Sequence, residues 1–382
     1  MIKESNRLNS VKEYYFSKKL REVAKLIQSG KSIINMGIGS PDLFPSKSVI
    51  DTLKNSLKDQ GAHKYQSYQG LLELRKAISK FYLKFFDVQS NPVNEVLPLM
   101  GSKEGIMHIS LAFLNPGDEV LIPNPGYPTY SSVTKLVEAT PIFYDLSKEN
   151  NWFPNLLDLE KKDLSRVKIM WINYPHMPTG SSATINQFKV LIDFSKKHKI
   201  LLINDNPYSF ILNNDFVSLL SIKNAKENCM ELNSLSKAFN LSGWRIGMLL
   251  GSKENISSVL KVKSNMDSGM FYGIQKGAIQ ALNLDNKWFD SLNVIYSKRR
   301  ILMWELASIL KCEVDKSSKG LFVWAKLPVG INSSEQFINN ILTEKNIFIA
   351  PGIIFGSNGE GYIRFSLCID EEKIKEAIKR FK

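Results

Sequence analysis

Lys237 stands in the segment SLSKAFNLSGWRIG, with Ser234 and Ser236 before it, Arg245 after it and few other charges nearby. An amine in apolar surroundings loses part of its basicity, and a neutral lysine is a nucleophile suited to a Schiff base with a carbonyl group. Two hydroxyls and a guanidinium beside it make a good site for a dianion such as phosphate. Asp205 closes the apolar run ILLIND. A carboxylate there costs desolvation unless a cation faces it. Taken singly, Asp205 reads as a helix N-cap and Lys237 as a solvated lysine; taken together, they make those plainer readings hard to keep.

These groups need elements that bring them together. The runs EVLIP (119–123), PIFYDL (141–146), KIMWIN (168–173), ILLIND (200–205), CMELNS (229–234) and RIGMLLG (245–251) are aliphatic or β-branched and bounded by Pro, Gly, Asn or Asp, which predicts strands. Helical patterns such as INQFKVLIDFSKKHK (185–199) lie between them. Alternating β and α predicts an α/β fold, a mostly parallel sheet sandwiched by helices. Ligands in such sheets sit at the carboxyl ends of strands. There the chain carries NPGYPTY, YPHMPTG, NPYSF and the lysine segment, far richer in polar and aromatic groups than turns require.

Composition narrows the class. The 382 residues are 43% hydrophobic and 23% charged, as in a soluble globular enzyme, and suffice for two domains or one large domain with a smaller companion. No run approaches the ~20 apolar residues of a membrane span. The start, MIKESNRLNS, lacks the apolar stretch of a secretory signal, so a cytoplasmic protein is expected. The net charge of +13 is spread over amphipathic segments such as KKLREVAKL and KEAIKRFK, which read as solvated helix faces and predict no nucleic-acid partner. Cys229, Cys312 and Cys368 are odd in number and far apart, so reduced, buried thiols are expected. His63, His108, His176 and His198 share no metal-ligand spacing, and no metal is expected. GIG at 37–39 invites a dinucleotide reading, which fails because Asp42 stands where the third glycine belongs.

SLSKAFNLSGWRIG resembles the pyridoxal-phosphate lysine segment of class I/II aminotransferases, S-x-S-K-x5-G-x-R. INMGIGSPD, KYQSYQG-LLELRKAI, GSKEGI, NPGYPTY, NYPHMPTG, NDNPY, GLFVWAKLP and PGIIFG…GEGYIRFSL follow the family's order over nearly the whole chain. GIGSPD, GSKEGI and PGYPTYSS are most similar to the branch holding LL-diaminopimelate and bacterial aspartate-type enzymes.

The resemblance implies a fold type I transferase, with an N-terminal arm (1–45) joining a small α+β domain (286–382) and a large cofactor domain (46–285). It implies pyridoxal 5′-phosphate as cofactor. Lys237 would carry it and shuttle the α-proton. Asp205 would meet the ring nitrogen and Tyr208 the 3-oxygen. Ser234, Ser236, Arg245 and the N–H groups of Ser102 and Lys103 would hold the phosphate. Tyr127 would stack on the ring. Arg364, beside the Gly39 backbone, would clamp the substrate carboxylate. Tyr65 would reach the phosphate of a neighbouring subunit, which implies a homodimer with shared active sites. Lys103 would also meet a distal carboxylate, unless only its backbone matters.

One position departs from the family. Met177 stands where an asparagine usually donates to the 3-oxygen, and a thioether cannot donate. Asn173, His176 or a water would have to substitute, and the Schiff-base pKa is expected to rise. The implied activity is transfer of an amino group between an L-amino acid and a 2-oxo acid, with 2-oxoglutarate and glutamate as one pair. A carbon–sulfur β-lyase on the same cofactor is the alternative.

Overall fold

In the computed structural model, which describes residues 2–382, a seven-stranded sheet forms the centre. After a two-residue strand β1 (Ile34–Asn35) come β2 (Val96–Leu99), β3 (Glu119–Asn124), β4 (Thr140–Asp145), β5 (Val167–Ile172), β6 (Leu201–Asp205), β7 (Cys229–Ser234) and β8 (Gly247–Leu250). The large sheet has the order β2-β8-β7-β6-β5-β3-β4. β4, β3, β5, β6 and β7 pair in parallel, and β8 runs antiparallel to both β7 and β2. The carboxyl ends of β2, β3, β5, β6 and β7 therefore share one edge.

Alternation along the strands divides the apolar interior in two. Leu97, Val120, Ile122, Ile169, Trp171, Ile203, Leu232 and Leu249 pack on one face, under Ile106 and Ile109 of helix Ser102–Phe113 and Ile256 and Val259 of helix Lys253–Lys263. Leu121, Met170, Ile172, Leu202, Met248 and Leu250 pack on the other, under Leu74, Ile78 and Phe81 of helix Leu72–Phe86 and Phe188 and Leu191 of helix Ile185–Lys197. Each such buried side chain contributes about 1.5–3 kcal/mol of transfer free energy. Helices on both faces explain why β3 and β7 are buried at every residue, whereas the edge strand β4 is largely open.

The predicted helix 185–199 is the helix Ile185–Lys197, and its start is built by a capping box. The Thr184 hydroxyl accepts from the Gln187 N–H, and the Gln187 side chain accepts from the Thr184 N–H. All six predicted strand runs form strands; 229–234 coincides with its strand, and the other five have an end shifted by a residue or two.

The last third of the chain makes a separate four-stranded antiparallel sheet from β9 (Glu313–Val314), β10 (Phe322–Lys326), β12 (Ala350–Pro351) and β13 (Tyr362–Ser366), in the order β12-β13-β10-β9. β11 (Ile347–Phe348) pairs in parallel with β1, so the chain before the large sheet joins the chain after it. Asp42 and Arg299 strengthen that junction. Their bidentate ion pair spans 2.7 and 2.8 Å, and the same guanidinium donates to the Leu367 carbonyl. Among the described residues, no helix is long and apolar enough to cross a membrane.

Candidate active site

A cavity of about 360 Å³ opens where the carboxyl ends of the large sheet face β10 and β13. It is lined by Gly39, Ser102, Lys103, Tyr127, Asn173, Asp205, Tyr208, Ser234, Ser236, Lys237, Arg245 and Arg364. Tyr65 lies elsewhere. It is 90% exposed and stands with Gln66 beside Ser268–Phe271.

One end of the cavity is an anion cradle. Helix Ser102–Phe113 points its N-terminus into it, with free N–H groups and the positive end of the helix dipole. Arg245 Nη1 donates to the Ser242 carbonyl at 2.8 Å and lies 3.5 Å from Ser236 Oγ. The cradle depends on two glycines. A Cβ on Gly101, whose φ is +94°, would stand 2.1 Å from Arg245 Nη2. A Cβ on Gly247 would stand 2.6 Å from the Ser102 nitrogen. The backbone thus approaches closely enough for N–H groups, hydroxyls and guanidinium to meet one dianion.

Asp205 ends β6 in the interior. Its Oδ2 accepts from the Tyr130 hydroxyl at 2.9 Å, while Oδ1 has no partner. Burial pushes its pKa up to about 7, against the opposing pull of the Tyr130 hydrogen bond and the Lys237 charge. An ionised carboxylate with one free oxygen in such a place calls for a cationic N–H. Its neighbours are fixed by a polar network. Glu231 accepts from Asn206 Nδ2 at 3.2 Å and the Leu219 N–H at 3.0 Å, and Asn204 Oδ1 accepts from the Tyr174 N–H at 2.9 Å.

Lys237 follows β7. Its Nζ donates to the Gly39 carbonyl at 2.7 Å, and burial lowers its pKa, with the Arg364 and Arg245 charges acting the same way. The approach of Gly39 is steric as well: a Cβ there would lie 2.4 Å from the Phe322 ring.

Arg364, in β13, is 4% exposed and enclosed by rings, its guanidinium 3.9 Å from the centre of Phe322, 4.6 Å from Phe355 and 5.5 Å from Phe16. Nη2 donates to the Gly37 carbonyl at 2.9 Å, Nη1 faces Met177 Sδ at 3.2 Å, and Nε has no partner. Burial lowers its pKa to about 10. Among the described residues no carboxylate lies within ion-pair distance of it. A buried guanidinium without an acid is costly, and a carboxylate entering the cavity would supply the missing charge.

Residues 31–381 match the family model of aminotransferase class I and II. The chain belongs to the class I and II aminotransferases. It is 38% identical to LL-diaminopimelate aminotransferase of Aquifex aeolicus, covering 100% of this chain and 99% of that one. The protein of that name from Halothermothrix orenii is 36% identical over 100% and 98%. A substrate-bound structure of BacF from Bacillus superposes with a TM-score of 0.95 at 32% identity, covering 100% and 97%. A structure described as a probable N-succinyldiaminopimelate aminotransferase from Thermus thermophilus gives 0.88 at 29% identity over 96% and 98%. These likenesses bear out the fold type I transferase expected from the sequence.

Several residues of this aminotransferase site were not singled out by spacing. Tyr130 holds Asp205, although NPGYPTY drew attention only to Tyr127. Tyr14 and Phe16 enter the cavity from the start of helix Tyr15–Gln28, and the Tyr14 ring lies 4.5 Å from Lys103 Nζ, whose pKa burial lowers. Phe322 and Phe355 close the floor; aromatic residues at strand and turn positions carry no signal that separates them from ordinary core.

Asn173 lies at the cavity, and its amide is tied to the main chain at both ends. Nδ2 donates to the Asp205 carbonyl, and Oδ1 accepts from the Met177 N–H at 2.8 Å. Among the described residues the second N–H of the same –NH2 group has no partner, so Asn173 remains open as a substitute for the donor lost at Met177. His176 is held away from the cavity. It is buried, its Nδ1 lies 2.8 Å from Thr179 Oγ1, and it does not line the cavity.

His108 has neighbours the sequence did not show, for it gathers with Glu104 and Asp267. The Lys263 ammonium already sits 2.8 Å from Asp267 there, which supplies the charge a metal would bring. Cys229 and Cys312 are buried thiols, and Cys368 is half-buried.

Proposed function

We propose that this aminotransferase carries pyridoxal 5′-phosphate on Lys237 and moves an amino group between an L-amino acid and a 2-oxo acid, with 2-oxoglutarate and glutamate as one pair. The observation that carries the reading is Arg364, a buried guanidinium without an acid that opens on the same cavity as a lysine of lowered basicity and the free oxygen of Asp205.

When bound, the cofactor supplies an aldehyde that joins amines and a ring that takes up the electrons of a bond broken at the α-carbon. The chain's residues do the rest. Ser102 and Lys103 N–H groups, Ser234, Ser236 and Arg245 hold the phosphate. Asp205 Oδ1 keeps a proton on the ring nitrogen, and Tyr130 and Asn173 keep Asp205 in place. Tyr127 stacks on the ring and Tyr208 donates to its 3-oxygen. The Lys237 amine takes the α-proton and returns it, a task suited to a lysine with depressed pKa. Arg364, next to Gly39, binds the α-carboxylate bidentately, and the rings of Phe16, Phe322 and Phe355 exclude water around it.

Relatives named LL-diaminopimelate aminotransferases make LL-diaminopimelate the first donor to test, and the presence of Lys103 in the cavity lining supports its meeting a distal carboxylate. The exposure of Tyr65 supports its expected reach into a second subunit of a homodimer. The β1–β11 pairing supports a division into an arm (1–45) joined to a small domain (286–382), with a large domain (46–285) between them.

The test is the absorbance of purified holoenzyme during single additions of glutamate, aspartate, LL-diaminopimelate, methionine, aromatic amino acids and cystathionine. Replacement of the aldehyde-form band by the amine-form band names the donor. Pyruvate and ammonia released from cystathionine with the first band intact would make the protein a β-lyase. A colourless protein, unable to take up added cofactor, would overturn the reading altogether.

A further inference from the structure

A second cavity, of about 460 Å³, lies beside the catalytic one. The two are lined by different residues of the same elements. Along β10 and β13, Phe322 and Arg364 face the first, while Trp324, Lys326 and Tyr362 face the second, and Trp324 is the register partner of Arg364. The loop after β5 divides likewise, with Met177 in the first cavity and Thr179, Gly180, Ser181 and Ser182 in the second.

The second cavity has an aromatic wall and a cationic rim. Trp324 and Tyr362 stack with centres 5.0 Å apart and planes 7° apart, and Trp152 meets Tyr362 edge-on at 5.5 Å. Trp152 and its neighbour Asn151 both adopt left-handed backbone, with φ of +56° and +51°, a conformation that a bulky side chain seldom takes unless its surroundings impose it. The Tyr174 hydroxyl donates to the Trp152 carbonyl at 2.7 Å, and Ser181 Oγ donates to the Asn151 carbonyl at 2.8 Å, so this wall is fixed.

The charges are unequal. Lys148 is 3.5 Å from Glu313, and Asp315 Oδ1 accepts from the Ser317 N–H and hydroxyl at 2.8 and 2.7 Å. Among the described residues, Lys319 and Lys326 have no carboxylate within ion-pair distance, although Lys326 stands opposite Glu313 in the β9–β10 register and its charge helps to lower the Glu149 pKa. A ring-lined recess with two ammonium groups outside any direct ion pair suits a flat, apolar body that bears one negative charge.

We propose that this cavity is a second ligand site, for a small aromatic carboxylate whose ring packs on Trp152, Trp324 and Tyr362 and whose charge is met by Lys319 and Lys326. Nothing in the proposed transamination uses these residues.

The probe is 4-hydroxyphenylacetate, titrated calorimetrically into holoenzyme. Because Arg364 also accepts carboxylates, the deciding sample is the Arg364→Ala holoenzyme, where binding is expected to persist with a Kd of about 1 mM or below. Lys319→Ala/Lys326→Ala in that background is expected to weaken it about tenfold or more. Cyclohexylacetate, equally charged but not flat, is expected to bind more weakly than the probe. Loss of all binding in Arg364→Ala would show that the probe occupies only the catalytic cavity and would overturn the proposal. Unchanged affinity in the double lysine variant, or no heat with the unsubstituted holoenzyme, would do the same.

Discussion

At the scale of single residues, charge without a partner decides what each site does. Arg364 has main-chain and thioether partners but no acid, and Asp205 keeps one oxygen free. Arg364→Lys is therefore expected to raise KM roughly 10²-fold with a smaller effect on kcat, because an ammonium keeps the charge but cannot form the two-point contact. Steady-state kinetics with two donors of different side chains checks this. A KM change for one donor alone would assign Arg364 to the side chain instead of the shared carboxylate. That Lys237, Asp205 and Arg245 share one cavity was legible in sequence, because the chemistry proposed for them needs unusual residue types at fixed spacing. Met177 was legible as a departure, but its position against Arg364 was not. Asn173 shows the limit of such reading: its place at the cavity was foreseeable, but the hydrogen bonds that turn its amide toward the main chain arise from the folded turn.

At the scale of elements, close approach of backbone matters more than side-chain chemistry. Gly101 lets Arg245 lie across the start of helix Ser102–Phe113, and its φ of +94° belongs to glycine. Gly101→Ala is expected to weaken cofactor binding at least about tenfold and to cost on the order of 1 kcal/mol of stability. A cofactor titration followed by absorbance, together with urea unfolding, measures both; wild-type cofactor affinity would show that Arg245 reaches the phosphate by another path. The large sheet was largely readable because buried parallel strands are continuous apolar runs with polar residues at their ends. β2 was not, for VLPL is short and contains a proline. β9, β11 and β12, of two residues each, are shorter than any pattern can declare.

At the scale of the whole molecule, buried ionisable groups set how stability varies with pH. Burial lowers the pKa of His176 from 6.5 to about 3, against the opposing pull of the Pro125 carbonyl. As pH falls below about 6.5 the unfolded chain takes up this proton before the folded chain does, so stability is lost progressively down to about pH 3. His176→Asn removes that difference. Its stability relative to the parent is expected to be about 3 kcal/mol more favourable at pH 4 than at pH 7, read from urea unfolding at the two values. The bond to Thr179 and the rise in the Asp205 pKa affect absolute stabilities, but they do not generate this difference. A variant that runs parallel to the parent from pH 7 to pH 4 would place the His176 ring in a wetter setting than its burial implies.

Gly37 and Arg364 meet across 327 residues of chain. At ~5–20 residues per second, a ribosome needs roughly 15 to 65 s to pass from one to the other. All seven strands of the large sheet, and with them the phosphate cradle, Asp205 and Lys237, precede β9 in the order of synthesis. The groups proposed to hold the cofactor within one chain are therefore made before Arg364, the group proposed to bind the substrate carboxylate. The order of manufacture thus runs parallel to the proposed order of use, with Lys237 made well ahead of the strand that carries Arg364.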